Sequence, residues 1–313
     1  MTISMGYLLP TRERVMAGQH ETGPILALAD RAAELGFDSV WIGDSLLAKP
    51  RHDPLTSLAA IAARTPKIQV GTAVLLSAMR NPVLLAHQVA TLDQISEGRF
   101  ILGVGIANGR PETQAEFASA GVTFEKRVGT MMEGLRLCKA LWTGEPVNWD
   151  GRWTVRDGVL GPVPWRKGGP PIWGGGSAPG ALRRAGRDFD GWFPSGPADP
   201  AVWRTNWTEV HRHAEEAGRD PGAITGAAYL TLSIDDDVAQ ANARLDAFLE
   251  QYYGQSAKVL RGFHGCFAGS REEAVAWLRA FVEGGATHLV LRFTGDHERN
   301  LESAASMRAE FGE

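Results

Sequence analysis

The regular alternation of short apolar runs with helix-like runs constrains the fold of this chain more than any other sequence feature. Eight runs are rich in β-branched or aromatic residues and apolar at consecutive positions, as strands buried on both faces are. The segments between them carry apolar residues three and four positions apart, and several end at glycine, which favours helix termination. We therefore expect eight strands, near residues 3–8, 39–43, 69–74, 100–105, 171–175, 191–194, 226–234 and 288–293.

Eight strand–helix units in a chain of 313 residues favour an α/β fold of the (β/α)8 TIM-barrel type. A doubly wound sheet with a second, small domain is the alternative. The stretch 143–170 interrupts the alternation, because it is rich in Gly, Pro and Trp and its "WDGRW" is typical of a hairpin turn. We predict one domain over residues 1–313, with this stretch inserted between the fourth helix and the fifth strand. Its tryptophans either cover a cofactor or pack the insertion onto the barrel.

Charge and composition narrow the class of protein. The formal net charge of -4 gives no reason to expect nucleic acid or an anionic membrane as a partner. No apolar run approaches the ~20 residues that span a bilayer, and the first residues lack the pattern of a signal peptide. Cys138 lies in a helical run and is expected to be a buried apolar residue. With two cysteines far apart in sequence, the chain is predicted to be a reduced, cytoplasmic protein.

Two predicted strands end in small residues, "GTAV" at 71–74 and "GVGIAN" at 103–108. In parallel barrels the active site lies at these carboxyl ends, and small side chains there leave space for a large, flat ligand. The strand ends carry one acid, Asp44, and neither paired carboxylates for hydrolysis nor a His/Asp/Glu set for a metal. His211 and His213 lie two positions apart, which directs them to different sides of a helix. We expect no metal site, and a cofactor that supplies the chemistry.

The segment "PPIWGGGSAPGALRRAGR" is the predicted anchor for such a cofactor. A strand runs into the glycines 174–176 and Ser177, and a helix follows. The backbone N–H groups of such a loop and the positive end of the helix suit a phosphate group. Ser177 is expected either to cap the helix or to donate its hydroxyl to the phosphate, and Arg183 or Arg184 could reach the same group. An ordinary tight turn is the alternative.

Long segments of the chain resemble the bacterial luciferase-like superfamily of flavin-dependent oxidoreductases. The resemblance implies a (β/α)8 barrel with an insertion after the fourth helix. It also implies a cofactor that is either FMN or the deazaflavin coenzyme F420. The segments that carry it are "LGFDSVWIGDS" (35–45), "VGTAVL" (70–75), "NPVLLAHQVATLDQISEGRFILGVG" (81–105), "GVTFEKR" (121–127), "LWTGEPV" (141–147) and the stretch from "PPIWGGGS" to "ALRRAGRDFDGWFP" (170–194).

The resemblance also implies where the cofactor binds. In this superfamily the ring lies over the end of the third strand, often against a cis non-proline peptide, and the matching bond here is Ala73–Val74. Asp44 matches an acid that contacts the polar edge of the ring, and Asn108 matches a polar position that reaches the ring or the ribityl chain. The cofactor-binding residues implied in this way are Asp44, Ala73, Val74, Gly105, Asn108, Gly174, Gly175, Gly176 and Ser177.

The candidate catalytic residues are Asp44, Ser45 and Asn108. Two of them depart from the deazaflavin-dependent sugar-phosphate dehydrogenases of the superfamily. Ser45 stands where those enzymes carry His as the proposed base, and Asn108 stands where they carry Glu. We therefore do not expect this chain to oxidise a sugar phosphate.

Two chemistries fit the resemblance: hydride transfer with F420, or monooxygenation with FMN and oxygen. The short insertion and the glycine loop favour F420. A flavin-binding barrel without catalysis and a lyase or hydrolase that uses Asp44 are the alternatives. Lys49, Arg51 and His52 could contribute to binding a charged substrate, but they are interpreted as solvated loop residues. The substrate is expected to be a fairly apolar, small organic molecule. Members of the superfamily are often dimers, and a homodimer is expected here.

Overall fold

The computed structural model describes residues 3–311 and contains a closed barrel of eight parallel strands. Around the barrel the order is β9-β11-β1-β2-β3-β4-β7-β8, and pairing of β8 with β9 closes it. The TIM-barrel prediction is confirmed, and the doubly wound alternative is wrong because the sheet has no open edge between β8 and β9. The barrel strands are β1 (Ser4–Leu8), β2 (Ser39–Ile42), β3 (Gln69–Thr72), β4 (Phe100–Val104), β7 (Ile172–Gly174), β8 (Gly191–Trp192), β9 (Thr225–Ile234) and β11 (His288–Phe293).

Helices surround the barrel and begin at recognisable caps. The carboxylate of Asp237 accepts the N–H groups of Ala239 and Gln240 at 2.9 and 3.1 Å, and Ser270 and Glu273 form a reciprocal capping box. The α-helices are α1 (Thr11–Met16), α2 (Gly23–Glu34), α3 (Pro54–Arg64), α4 (Pro82–Ile95), α5 (Pro111–Ser119), α6 (Arg127–Leu141), α7 (Pro179–Asp188), α8 (Pro200–Glu216), α9 (Val238–Tyr253), α10 (Ala257–Arg261), α11 (Arg271–Glu283) and α12 (His297–Met307). Among them, none combines the length and apolar character needed to cross a membrane.

The predicted insertion forms an antiparallel hairpin between α6 and β7. Its strands are β5 (Val147–Asp150) and β6 (Thr154–Gly158), so "WDGRW" spans the turn as expected. Trp149 and Trp153 are half-buried against the main core. The hairpin tryptophans therefore pack the insertion onto the barrel. That a single domain covers residues 1–313 stays a prediction.

One strand was not predicted. β10 (Cys266–Gly269) pairs in parallel with the second half of β9, outside the closed barrel. Its four residues, "CFAG", are too few to show a period of two, and only the length of β9 makes an extra partner possible. Cys138, by contrast, is buried as expected, and burial raises the pKa of its thiol to about 12.

Large aromatic rings fill the interior of the barrel. The ring centroids of Trp41 lie 5.2 Å from Trp173 and 4.9 Å from Phe193. Glycines on neighbouring strands make room for these rings: a Cβ at Gly71 would lie 2.3 Å from the Trp41 ring, and a Cβ at Gly191 would lie 2.5 Å from Trp173. Interior packing therefore requires the small residue at Gly71, whatever ligand lies above it.

Candidate active site

A cavity of about 370 Å³ opens at the carboxyl ends of the barrel strands. Eight of the ten predicted site residues line it, and their roles as ligands or catalysts stay predictions. Gly174 and Ser177 do not line it; a Cβ at Gly174 would lie 2.2 Å from the ring of Phe189, behind the strand. The eight lining residues are Asp44, Ser45, Ala73, Val74, Gly105, Asn108, Gly175 and Gly176.

The floor of the cavity is the end of β3. The Ala73–Val74 peptide bond is cis, as the resemblance implied, and both residues are half-buried. A Cβ at Gly105 would lie 2.4 Å from the Val74 side chain, and a Cβ at Gly103 would lie 2.0 Å from the carbonyl oxygen of Thr72. The small residues at the end of β4 thus make room for the end of β3. In the sequence analysis these small residues were interpreted as space for a ligand.

Asp44 is held in an ion pair. Its Oδ1 accepts Arg80 Nη2 at 3.1 Å, its Oδ2 accepts the other Arg80 nitrogen, and the N–H of Leu76 donates to Oδ2 at 2.9 Å. The Asp44 side chain is 1% exposed. Because Arg80 engages both oxygens, Asp44 has little capacity left to accept a hydrogen bond from a substrate. Its hydrogen bond with Leu76 instead links the segment that follows Ala73 and Val74 to the end of β2.

Ser45 belongs to a loop that surrounds a buried carboxylate. Glu116 of α5 accepts the Ser45 hydroxyl at 2.7 Å through Oε1, and the same oxygen accepts the N–H groups of residues 46–48. The Ser45 hydroxyl in turn accepts the N–H of Lys49 at 2.9 Å. These bonds give Glu116 and Ser45 a structural role in shaping the second loop of the barrel.

Asn108 links the cavity to the start of α5. Its Oδ1 accepts the Thr113 hydroxyl at 3.2 Å and the N–H of Arg110 at 3.4 Å. The preceding residue, Ala107, has a φ of 57°, in the left-handed region that a residue with a Cβ rarely adopts. This backbone turn places Asn108 at the cavity, where its amide nitrogen makes no hydrogen bond to residues 3–311.

The glycine loop presents free backbone donors. The N–H of Gly175 bonds to the carbonyl of Val104 at 2.9 Å, whereas the N–H groups of residues 176–178 have no acceptor within the described chain. Gly176 has a φ of 97°, which favours glycine. Ser177 donates its hydroxyl to the carbonyl of Gly196 at 3.2 Å, and Ala178 is the N-cap of α7. The expectation that Ser177 caps this helix is therefore wrong.

Arg184 lies beside the first turn of α7, which follows this loop. Its Nη1 is 3.4 Å from the Cβ position of Gly180 in the first turn of α7, and the side chain is half-buried, whereas Arg183 is exposed. The positive end of α7, the free N–H groups of residues 176–178 and this guanidinium therefore combine into a site suited to an anion.

Tyrosines form a further part of the cavity wall. Tyr229, Tyr252 and Tyr253 line it, and Tyr253 receives a hydrogen bond at 3.0 Å from Arg292, which is fully buried on β11. Arg292 also stacks on the Tyr252 ring at 4.5 Å. This buried guanidinium fixes the tyrosine side of the cavity from behind.

Two cations of the second loop also line the cavity. Lys49 and Arg51 are half-buried there, so their interpretation as solvated loop residues is wrong. His52 contacts the carbonyl of His20 at 3.0 Å and does not line the cavity. Burial, and then the charges of nearby arginines, lower the pKa of Lys49 to about 8.

Several features of this site were not predicted from the sequence. Arg80, which pairs with Asp44, and Glu116, which lines the cavity, lie in segments whose sequence pattern gives no sign of these contacts. The tyrosines left a usable signal, because the chain has only four and two of them are adjacent just before Gly254. Within residues 3–311 no group of three or more His, Cys, Asp or Glu side chains is arranged to hold a metal ion.

A closed parallel barrel with a carboxyl-end cavity, an apolar floor and a glycine-rich anion loop defines a cofactor-binding barrel enzyme. Residues 3–306 match the luciferase-like monooxygenase family, and the chain belongs to that family. The resemblance found in the sequence is thereby confirmed, and with it the assignment to the luciferase-like oxidoreductases.

Named relatives and solved structures agree with this assignment. The F420-dependent glucose-6-phosphate dehydrogenase of Kineococcus radiotolerans is 30% identical over 332 residues, which cover 95% of both chains. An F420-dependent secondary alcohol dehydrogenase, solved with an F420-acetone adduct, shares the fold with a TM-score of 0.83, at 21% identity over 98% of each chain. The monooxygenase RslO1 from Streptomyces bottropensis shares it with a TM-score of 0.75, at 23% identity over 99% of this chain and 98% of its own.

Proposed function

We propose that this chain is an F420-dependent oxidoreductase that moves a hydride between the deazaflavin and a carbon centre of a small organic substrate. The observation that carries the proposal is that one cavity joins an apolar floor to an anion loop. The floor suits a planar ring and the loop suits a phosphate. The choice of F420 is supported by similarity to the F420-dependent glucose-6-phosphate dehydrogenase of Kineococcus radiotolerans, which is 30% identical over 95% of both chains.

The residues present fit this cofactor. Ala73 and Val74 would lie under the ring, and the N–H groups of residues 176–178 would hold the phosphate with the help of Arg184. Asn108 would offer its amide nitrogen to the polar part of the cofactor. When bound, F420 supplies a ring carbon that gives or accepts a hydride.

The protein's own part is to orient and to exclude water. Asp44, through Leu76, fixes the chain that follows the floor, and we propose that it positions the cofactor site rather than transferring a proton. The tyrosines line the same cavity as the apolar floor, and together these groups limit the access of water to the reacting atoms. A hydrolase or lyase that uses Asp44 is disfavoured, because Arg80 occupies both carboxylate oxygens.

The experiment that tests this proposal compares the two cofactors. Purified protein is titrated with F420 and with FMN while the fluorescence of each is followed, and we expect micromolar binding of F420. Loaded protein is then assayed anaerobically for oxidation of reduced F420 by a panel of ketones, enones and imines. Oxygen uptake with reduced FMN, without hydride transfer from F420, would instead identify the monooxygenase branch. Failure of both cofactors to bind would refute the proposal.

We further propose a cytoplasmic homodimer. Apolar side chains of α4 are exposed, namely Val83, Leu84 and Ile95, and burial of such a face in a symmetric contact would stabilise a pair of barrels. Size-exclusion chromatography with light scattering measures the mass directly, and a mass equal to one chain of 33.8 kDa would contradict the dimer.

A further inference from the structure

We propose that Lys49 and Arg51 form an oxyanion subsite that binds a carboxylate or phosphate group of the substrate. The inference rests on the proposed function in one respect only, in that it takes the carboxyl-end cavity as the substrate site. It gives the substrate a charge, which the sequence left as a possibility for these loop residues but did not favour.

Both cations lack an acidic partner. Lys49 Nζ lies 5.0 Å from the centroid of the Tyr253 ring, and Arg51 donates its Nε to the carbonyl of Lys49 at 3.1 Å. The Arg51 guanidinium lies at the end of β2, where its Nη1 is 2.4 Å from the Cβ position of Gly43. Among residues 3–311, no carboxylate lies within 4.0 Å of the charged nitrogens of either residue. Burial lowers the pKa of Arg51, but the charges of Tyr252, Glu13, Tyr229 and Asp44 raise it overall, so acids act on Arg51 from beyond 4.0 Å. The two side chains thus bring positive charge to the cavity that no direct ion pair neutralises.

Neighbouring charges reinforce this excess. Arg12 donates to the carbonyl of Tyr252, and Arg110 donates to the carbonyl of Tyr253 at 2.6 Å, so both arginines stand at the carboxyl end of α9. Arg110 has an acid near it, Glu112, at 3.9 Å. The lowered pKa of Lys49 follows first from burial and then from Arg12, Arg110 and Arg51, with Glu112 opposing them. A cation in such surroundings is stabilised when an anion enters.

The acids that line the cavity are committed elsewhere. Asp44 is paired with Arg80, and Glu116 accepts four hydrogen bonds from the loop that carries Lys49. Neither carboxylate therefore forms a direct ion pair with Lys49 or Arg51, although the charge of Asp44 contributes to raising the pKa of Arg51. The adjacent tyrosine side offers apolar ring surface, so the fitting substrate class is an organic anion with an apolar or aromatic body. The expectation of a fairly apolar substrate is changed accordingly: the proposed subsite requires that the substrate also carries a negatively charged group.

The titration of the Lys49 amine provides the test. The protein is labelled with ¹³C at the lysine Cε, the Lys49 signal is assigned with Lys49→Gln, and its pKa is measured alone and with sulfate, benzoate or the neutral benzamide. We expect sulfate and benzoate to raise the pKa by about one unit, which corresponds to about tenfold tighter binding of the anion to the ammonium form. Benzamide should leave it unchanged, and Arg51→Gln should reduce the effect of both anions.

The exposed Lys139 of α6 gives the matched control, because Lys139→Gln removes a lysine charge far from the cavity and should leave the Lys49 response intact. An unchanged Lys49 pKa with both anions would overturn the inference. A rise of equal size in a Lys49 signal of the Arg51→Gln variant would remove Arg51 from the subsite and also contradict the proposal as stated.

Cofactor binding is measured on the same variants, so that the two proposals fail separately. If F420 binds normally and the anions have no effect, the subsite alone is refuted. If the anions act on Lys49 and F420 does not bind, the proposed function fails and the subsite stands. A Lys49→Gln variant that loses F420 affinity at least about tenfold would assign these cations to the cofactor and overturn the inference.

Discussion

Arg80 and Asp44 form a two-point ion pair at the end of β2, in which the Asp44 side chain is 1% exposed and that of Arg80 is 15% exposed. This pair holds a carboxylate at the cavity without leaving it free for proton transfer.

Replacement of Arg80 by Gln should strongly destabilise the protein. The change leaves the Asp44 carboxylate buried and unpaired, which costs about 3–5 kcal/mol of the free energy of unfolding. Urea unfolding measures the loss, and the double variant Asp44→Asn/Arg80→Gln should recover part of it because no charge is then buried alone. A single variant as stable as the wild type would contradict this account of the pair.

Glu116→Ala should loosen the second loop of the barrel. It removes the oxygen that accepts the Ser45 hydroxyl and the N–H groups of residues 46–48, and a loss of about 2–3 kcal/mol is expected. Hydrogen exchange should rise selectively at residues 46–48. Glu116→Gln keeps one acceptor oxygen and serves as the control, with a smaller increase; equal exchange in both variants would speak against the role given to Glu116.

Glycine at position 103 should be irreplaceable. A Cβ there would lie 2.0 Å from the carbonyl oxygen of Thr72, and backbone cannot move aside cheaply, so Gly103→Ala should cost at least about 1–3 kcal/mol. Gly23→Ala is the matched control, because no atom lies within 4 Å of its Cβ position at the start of α2. Thermal unfolding compares the two, and a Gly103→Ala variant as stable as Gly23→Ala would contradict the packing described here.

Two buried histidines and one half-buried histidine should make the protein sensitive to acid. Burial lowers the pKa of His288 and of His297 to about 4, and lowers the pKa of His264 well below its ordinary value. The unfolded chain takes up these protons near pH 6.5, before the folded protein does, so stability is fully present above that pH and is lost as the pH falls toward 4.

Each of these histidines adds up to about 1.4 kcal/mol per pH unit to the slope of the free energy of unfolding against pH. Urea unfolding between pH 7 and 4 should show a smaller slope for His288→Gln than for the wild type, whereas His87→Gln, at an exposed position of α4, should retain it. Identical slopes for the wild type and His288→Gln would exclude His288 as a contributor.

The sequence was sufficient to predict the barrel because its strands are buried on both faces. Consecutive apolar residues such as those of β4 and β11 leave a signal that does not depend on tertiary context. β10 escaped prediction because "CFAG" is short and half-buried, and its existence depends on the surplus length of β9. The hairpin of the insertion was predictable because "DG" turns act locally.

The site was predicted less completely, since side-chain direction depends on contacts between distant segments. Lys49 looks like an ordinary loop cation until α9 brings Tyr253 beside it. Ser177 is a residue type that often caps helices. The N-cap of α7 is nevertheless Ala178, because Pro179 fixes the first turn of the helix. In the sequence, the glycines at the strand ends indicated space for a ligand. In the structure, Gly71 makes room for the ring of Trp41, and Gly105 makes room for the side chain of Val74.

The binding of F420 to two variants of Gly175 tests the central claim most directly. Gly175 lines the cavity beside the anion loop, and a Cβ there would lie 3.4 Å or more from its neighbours, so the Ala variant can be accommodated and serves as the control for the carboxylate of the Asp variant. Fluorescence titration should give Gly175→Ala an affinity within a few fold of the wild type. Gly175→Asp, which places a carboxylate at the phosphate site, should weaken binding about a hundredfold, or ~3 kcal/mol. Equal affinities for F420 in the Asp and Ala variants would show that the loop does not hold the phosphate and would contradict the account.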